Sequence, residues 1–489
     1  MIPHPGSVDN TSTRSGGMLP AMPGQPIKDK GKVFRDPVHR LIRIEREDAY
    51  ILDLINAPEF QRLRRVRQLG VSSLTYHGAE HSRFVHSLGV FNFAQRILAT
   101  LQRRYRRDHP VNTLLEQHSR VVKAAALLHD IGHGPFSHMI ERAPGSSFDH
   151  EEMTTRLITR ADGAIRHILE SEGIDPQQVA QVIDKTHPHR LIVDVVSSQL
   201  DADRMDYLLR DSLMTGVEYG VYDAEWLLSA MCVGRDPGAD SDGAEDLGWR
   251  LCLDRDRGLF AAEQLILARH HMMLQVYMHR VTRGYEVMLL NLFQAAAGLV
   301  RDTGLPPGTP HAVVAYFSKG INMDHEDWLG FDETAMVAAF QAWARLPDGE
   351  HSFLRRASKA FLTRSRIYVA CPISKLSTSQ TMQLQHGLNE LKLERGVDWG
   401  LDDGVHLPYK GVYYGAAAGG EGEEQSTLSI LLSDGDTANR GRAAENESDV
   451  LKAVDNARQQ MARVYIDREK LNAAEPLLKD LKILREGSK

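Results

Sequence analysis

The run VVKAAALLHDIGHGPFSH, residues 121–138, limits the fold more than any other part of this chain. A helix that is apolar nearly all round has no face for solvent, so VVKAAALL must be buried. The run ends in the pair His129–Asp130, and Gly132, Gly134 and Pro135 then break the helix. A buried helix that delivers a titratable pair to a glycine-rich break needs other helices around it, with chemistry at its C-terminal end.

The rest of the pattern agrees. Pro58 starts a helix with apolar positions Phe60, Leu63, Val66 and Leu69, and Gly70 closes it. Further helices are expected over roughly 88–105, 119–129, 192–210 and 263–299, and a short strand over 38–45. GRDPGADSDGAEDLG reads as an acidic loop, with GWRLCLD resuming as a strand. After about residue 361 the texture turns mixed. RIYVACPI, GVYYGAAA and STLSILLS read as strands, Asp449 to Arg468 as an amphipathic helix, and GGEGEEQ as a mobile tip. The division expected is a disordered leader over 1–31, a helical catalytic core over 32–360 and a smaller α/β lobe over 361–489.

Composition acts by exclusion. A formal net charge of −7 offers no general attraction to nucleic acid, which is not expected as the main partner. The arginine runs QRLRRVRQ and QRRYRRD therefore read first as solvated or phosphate-facing helix surface, and only second as a single-strand contact with Tyr105 as stacking face. Cys232, Cys252 and Cys371 make neither a metal spacing nor a disulfide framework, which fits a reducing compartment. No apolar run is long enough to span a bilayer, so a cytoplasmic protein without a membrane partner is expected.

Two flanking segments turn the His-Asp pair into a site. RFVHSLG carries His86 and DADRMDYLLRD carries Asp203. Two imidazoles and two carboxylates from three segments form a ligand set of mixed hardness. It suits one divalent ion with open positions, and hence water activation; Mn, Fe, Mg, Zn and Ni all remain open. His133 follows His129 by one helical turn, and His150 lies in FDHEE with Glu141 upstream. A histidine backed by a carboxylate is an acid–base pair, so His150 oriented by Glu141 is expected to move the proton, with His133 on the phosphate. His138 is open between a substrate contact and a hydrogen bond to a ligand.

The segments KVFRDPVH, APEFQRLRRVRQLG, HSRFVHSLGV, HDIGHGPFSHM, HEE, DADRMDYLLRD and LARHHMMLQVYMHRVTRGYE follow one another over roughly residues 32–290. In that order they resemble the HD-domain deoxynucleoside triphosphate triphosphohydrolases, in particular the branch of the vertebrate SAM-and-HD-domain enzyme and its bacterial relatives. The resemblance implies a mainly α fold, with an HD-domain helical core ahead of the α/β lobe. It implies cleavage of a dNTP between sugar and α-phosphate, giving a deoxynucleoside and triphosphate. It places His86, His129, Asp130 and Asp203 on the metal, and His133, Glu141 and His150 at the catalytic positions, with Glu141 where the vertebrate form has Asp. Arg83 matches the arginine on the α-phosphate, Arg204 replaces a phosphate-binding Lys, and Arg269 and Tyr207 join the substrate-binding set. Gln68, Leu69, Asp211 and Tyr277 match the sugar pocket, where a 2′-OH pressed on Leu69 and Tyr277 would be buried unpaired at a cost on the order of 1–3 kcal/mol. Met273 stands where the vertebrate enzyme has His.

The same branch binds activating nucleotides between subunits. Val33, Arg64, Arg255 and Arg257 match such sites, the arginines read as forks without acidic partners nearby in sequence, so an activating nucleotide and a homotetramer are expected. Asn56 replaces the acidic residue that reads guanine, which argues against strict guanine dependence. Competing readings are a guanosine tetraphosphate hydrolase, a cyclic dinucleotide phosphodiesterase, and a nucleotide-sensing or nucleic-acid-binding protein. The first would carry an acidic pair where GHGPFSH stands, the second needs a GYP triad where the chain has RGYE, and the third would not need a complete acid–base set.

Overall fold

The computed structural model describes residues 31–143, 149–236, 247–402, 430–456 and 461–483. The chain is mainly α. A β-hairpin opens it, β1 (Lys32–Asp36) antiparallel to β2 (Arg40–Ile44), followed by the short helix α1 (Pro58–Arg62). The helices that build the site are α2 (Arg83–Arg104), α3 (Pro110–Leu128), α4 (His138–Glu141), α5 (His150–Thr159), α6 (Arg190–Val196) and α7 (Ala202–Thr215).

Helix α3 is the buried axis. Pro110 sits in its first turn with φ already helical, and the His109 side chain accepts from Val111 N at 3.2 Å. Ala124, Ala125, Ala126, Leu127 and Leu128 are fully buried, each Leu worth about 1.5–3 kcal/mol. Helix α2 packs along α3 on one side and along α7 on the other, so the N-terminal turns of α2 and α7 meet the C-terminal end of α3.

Past this core come β3 (Met231–Arg235), β4 (Trp249–Asp254), α8 (Arg255–Met272) and α9 (Arg280–Asp302). Then follow β5 (Tyr368–Pro372), α10 (Thr378–Glu390), β6 (Trp399–Asp402), β7 (Leu431–Ser433), β8 (Arg442–Ala443), β9 (Arg463–Asp467) and α11 (Leu471–Asp480). One sheet has the order β5-β9-β6 and shares a small core with α10 and α11 around Trp399, Ile466 and Leu478. The other has the order β3-β4-β7-β8, with β7 parallel to β4, so a late stretch of chain completes a sheet of the central part.

Four expected elements differ. The helix from Pro58 stops at Arg62, a tight turn takes Leu63–Arg65, and Val66 is extended. The cause is long-range pairing: Gln68 N donates to His81 O (3.0 Å) and Arg83 N to Val66 O (2.8 Å). The 192–210 helix is two helices, because Asp201 caps α7 by accepting from Arg204 N at 2.7 Å and Ser198 N at 2.8 Å. The 263–299 helix breaks through a wide turn at Met273–Tyr277, after which His279 caps α9. Within the expected helix 449–468, Asp449–Asn456 is helical but Arg463–Asp467 is β9, the central strand of its sheet. The expected leader, the strand GVYYGAAA and the GGEGEEQ tip lie outside the described residues, apart from Gly31.

Candidate metal and acid–base centre

His129 and Asp130 sit where α3 ends, His86 one turn into α2, and Asp203 in the first turn of α7. Donor atoms of His86, His129 and Asp130 lie within 4.8 Å of one another. Asp203 Oδ1 closes the group at 2.9 Å from His86 Nε2 and 3.7 Å from His129 Nε2. The four expected ligands are therefore brought together. Gly89 allows it: a Cβ there would lie 1.8 Å from Asp206 Oδ1, so only glycine lets α7 approach α2 this closely.

The set fits a divalent cation. His129 Nδ1 faces Ala126 O at 3.0 Å, while its buried Nε2 has no hydrogen-bond partner among the described residues and lies 3.4 Å from Asp130 Oδ1. His86 is oriented from behind, its Nδ1 donating to Asp206 Oδ2 (2.8 Å). Asp206 is held in turn by His39 Nε2 (2.7 Å) and by Arg210 (2.7 and 2.9 Å), which reaches on to Asp36 (3.0 Å). Burial works against a charged His86, but its hydrogen bonds to Asp203 and Asp206 outweigh that and push it up to about 10. Burial likewise opposes the Asp130 charge, yet the Arg83 guanidinium and His129 hold that carboxyl well below its usual range. An orphaned His129 Nε2, the Asp130 and Asp203 carboxylates and an imidazole oriented from behind make a donor set that suits a divalent cation.

A second group adjoins the first. His133, His138, Glu141 and His150 also converge within 4.8 Å. Glu141 Oε1 lies 2.8 Å from His150 Nδ1, Oε2 lies 3.1 Å from His138 Nδ1, and His133 stacks on His150 with ring centroids 3.8 Å apart. His133 Nε2 is 3.3 Å from Asp130 Oδ1, so the two groups touch. Gly132 makes the contact, since a Cβ there would meet His150 O at 2.2 Å and Thr154 N at 2.4 Å. Burial pulls His150 down but Glu141 outweighs it and raises its pKa; burial and the nearby Arg83 hold His133 well below the usual histidine range. The stacked pair is thus differentiated: Glu141 favours a proton on His150, while burial and Arg83 disfavour one on His133.

The expected substrate-binding residues divide in two. Gln68, Leu69, His138 and Tyr277 line one cavity of about 50 Å³. Tyr277 OH donates to Asp211 Oδ2 (2.8 Å), the other oxygen of Asp211 is held by His81 Nε2 (2.8 Å), and Tyr207 packs edge-on to Tyr277. The cations are already engaged. Arg83 donates to Asp130 (2.5 Å) and to Ser137 Oγ (2.8 Å), Arg204 binds Ser198 O and Asp201, and Arg269 reaches Gln199 Oε1 (3.2 Å).

The four positions expected to meet an activator do not line this cavity. Val33 is exposed on β1, and Arg64 lies over the Phe84 ring while donating to Gln61 Oε1 (2.8 Å). Arg257 does have an acidic partner close in sequence, contrary to the expectation, Asp254 at 3.3 Å; Arg255 pairs with Glu447 at 2.8 Å. Glu447 comes from far along the chain, and the weight of Asp254 three residues before Arg257 was missed. Sequence reasoning also missed Asp206, Arg210, Asp36, His39 and His81. Asp206 and Arg210 had a signal, since they follow Asp203 at helical spacing on the same face of α7.

Comparison with known proteins agrees with the site. The HD-domain family model matches residues 83–211. The Bacillus subtilis protein YwfO is 35% identical over 447 residues, covering 90% of this chain and 92% of its own. The deoxynucleoside triphosphate triphosphohydrolase SAMHD1 of Gallus gallus is 29% identical over 298 residues, or 54% of this chain and 45% of that protein, so the chain spans about half of this relative. A phosphohydrolase structure from Bacteroides thetaiotaomicron shares the fold, with a TM-score of 0.67 and 24% identity over 89% of this chain and 100% of that one. The matched domain and a full-length relative together show that the chain belongs to the HD-domain family.

Proposed function

We propose that this protein hydrolyses deoxynucleoside triphosphates to the deoxynucleoside and inorganic triphosphate. The observation that carries the reading is the Tyr277–Asp211 hydrogen bond beside Gln68 and Leu69, next to the His-Asp centre. We read it as a wall that offers hydrogen-bonding groups to a 3′-OH and sets Leu69 and Tyr277 against a 2′-OH. The triphosphohydrolase relatives point the same way.

His86, His129, Asp130 and Asp203 would hold the divalent ion. When bound, such an ion polarises a phosphoryl oxygen and lowers the pKa of water toward neutrality. The protein's own groups do the rest. Arg83 turns from Asp130 to the α-phosphate and balances its charge. His150, held by Glu141, gives its proton to the O5′ leaving group as the phosphorus–O5′ bond breaks and water oxygen bonds to phosphorus; the proton that water loses passes to solvent, from which His150 is reprotonated. His133, neutral, contacts the phosphate face. Val33 and Arg64 are proposed to face an activating nucleotide in a homotetramer; Arg255 and Arg257 would join them only by leaving Glu447 and Asp254.

Incubation with each dNTP and Mn, with products resolved by chromatography, tests the reading. Deoxynucleoside plus triphosphate is expected, with dGTP favoured over GTP in kcat/KM. Nucleoside mono- or diphosphate as product, or equal use of GTP, would overturn it. Tyr277→Ala should narrow the deoxy-to-ribo ratio without loss of metal.

A further inference from the structure

The arginine run Arg62–Arg67 is not simply solvated surface. Arg62 donates to Phe331 O (3.1 Å) and His133 O (2.8 Å), Arg65 pairs with Asp332, and Arg67 Nη1 lies 3.4 Å from Glu333 Oε2. Three members of the run thus dock on Phe331–Glu333, far along the chain. Glu333 is the hub. It is buried and begins the helix Glu333–Trp343.

Glu333 Oε1 accepts two backbone amides, Arg67 N at 3.0 Å and Phe136 N at 3.3 Å. They belong to the two irregular pieces that shape the pocket. Arg67 directly precedes Gln68 and Leu69. Phe136 precedes Ser137, and both hold positive φ (58° and 53°), a conformation that persists only where its surroundings enforce it. Ser137 Oγ donates to Arg67 O (3.1 Å) and accepts from Arg83 (2.8 Å). Neither piece lies in a helix or in a sheet of more than one bridge. Burial pushes the Glu333 carboxyl up to about 7 against the opposing pull of Arg67 and its two amide bonds. Arg67 is shared with Glu80 (2.6 Å), and Arg83, also near, is held by Asp130.

We propose that Glu333 is a positioning residue that sets the register between the Arg67–Leu69 segment and the Phe136–Ser137 turn, and through it the fit of the substrate's sugar and α-phosphate. The statement about substrate fit rests on the dNTP reading; the coupling of the two segments does not.

The test uses the full chain loaded with Mn, with amide hydrogen exchange and dNTP kinetics on Glu333→Ala and Glu333→Gln. Gln keeps the carbonyl that accepts both amides, and Ala removes it. Glu333→Ala should speed exchange at residues 67–69 and 136–137 by about tenfold or more while α3 stays protected and Mn content is unchanged. It should raise KM about tenfold with a smaller change in kcat, and Glu333→Gln should restore both readouts. If the Ala variant does not fold, Glu333→Asp, which withdraws the acceptor by one methylene, should give the same local loss of protection. Unchanged exchange at the two segments, or a rise spread evenly over the chain, would overturn the positioning role. A wild-type protein that hydrolyses no dNTP would remove the dNTP reading alone, and the exchange result would still decide the coupling.

Discussion

Asp206 fixes which nitrogen His86 offers to a metal, because a carboxylate on Nδ1 keeps the proton there and leaves Nε2 for the cation. Asp206→Asn should weaken Mn binding by roughly 10–100-fold with His86 still in place, measurable by calorimetric titration; unchanged affinity would contradict this role. His150 acts on a proton and not on the metal, so His150→Ala should keep Mn while lowering kcat by roughly 10²–10⁴. A wild-type rate in that variant would transfer the role to His133. Glu333 gives a pH signature of definite sign. Its folded pKa, about 7, lies above the ordinary 4.5, so folding takes up a proton between those values. Stability from this group is full below pH 4.5 and is lost as pH rises toward 7, by about 3 kcal/mol at most. Glu333→Gln carries no such charge. Its melting temperature relative to wild type should therefore be higher at pH 8 than at pH 5, and a difference constant across that range would contradict the buried titration.

At the scale of elements, the glycine-rich break after α3 is a packing device as well as a helix end. Gly132→Ala would drive a Cβ into α5 at His150 O, so it should cost about 1–3 kcal/mol of stability and draw His150 away from Glu141. Thermal melting and kcat read both effects, and wild-type values for the two together would contradict the tight contact. Elements were legible where the apolar pattern runs without interruption, as in α2 and α3, and three of the four expected metal ligands, His86, His129 and Asp130, lie on or at the end of those helices, with Asp203 opening α7. They were illegible where a distant partner overrides the local period. Val66 and Leu69 fall at helical spacing after Phe60, yet Val66–Gln68 pairs with His81–Arg83 and is extended. Val464, Tyr465 and Ile466 continue an amphipathic pattern, yet they are β-branched or aromatic and fill the middle of a sheet. His81 and Glu333, both acting across long sequence separations, leave no local signal at all.

For the whole molecule, the pocket is assembled from α2, α3, α5 and α7 together with the Phe331–Glu333 segment, so its shape depends on pieces outside the matched domain. Assembly belongs to this scale too. With saturating dNTP, light scattering is expected to show a homotetramer whose formation tracks the rise in activity by mass action; a monomer of full activity would contradict the activator reading and leave the catalytic one intact. The most direct test of the account follows the water oxygen. In H₂¹⁸O with Mn and a dNTP, the label should appear in the triphosphate, on the former α-phosphorus, with an unlabelled deoxynucleoside. Label in the deoxynucleoside, or nucleotide products that retain the α-phosphate, would contradict it.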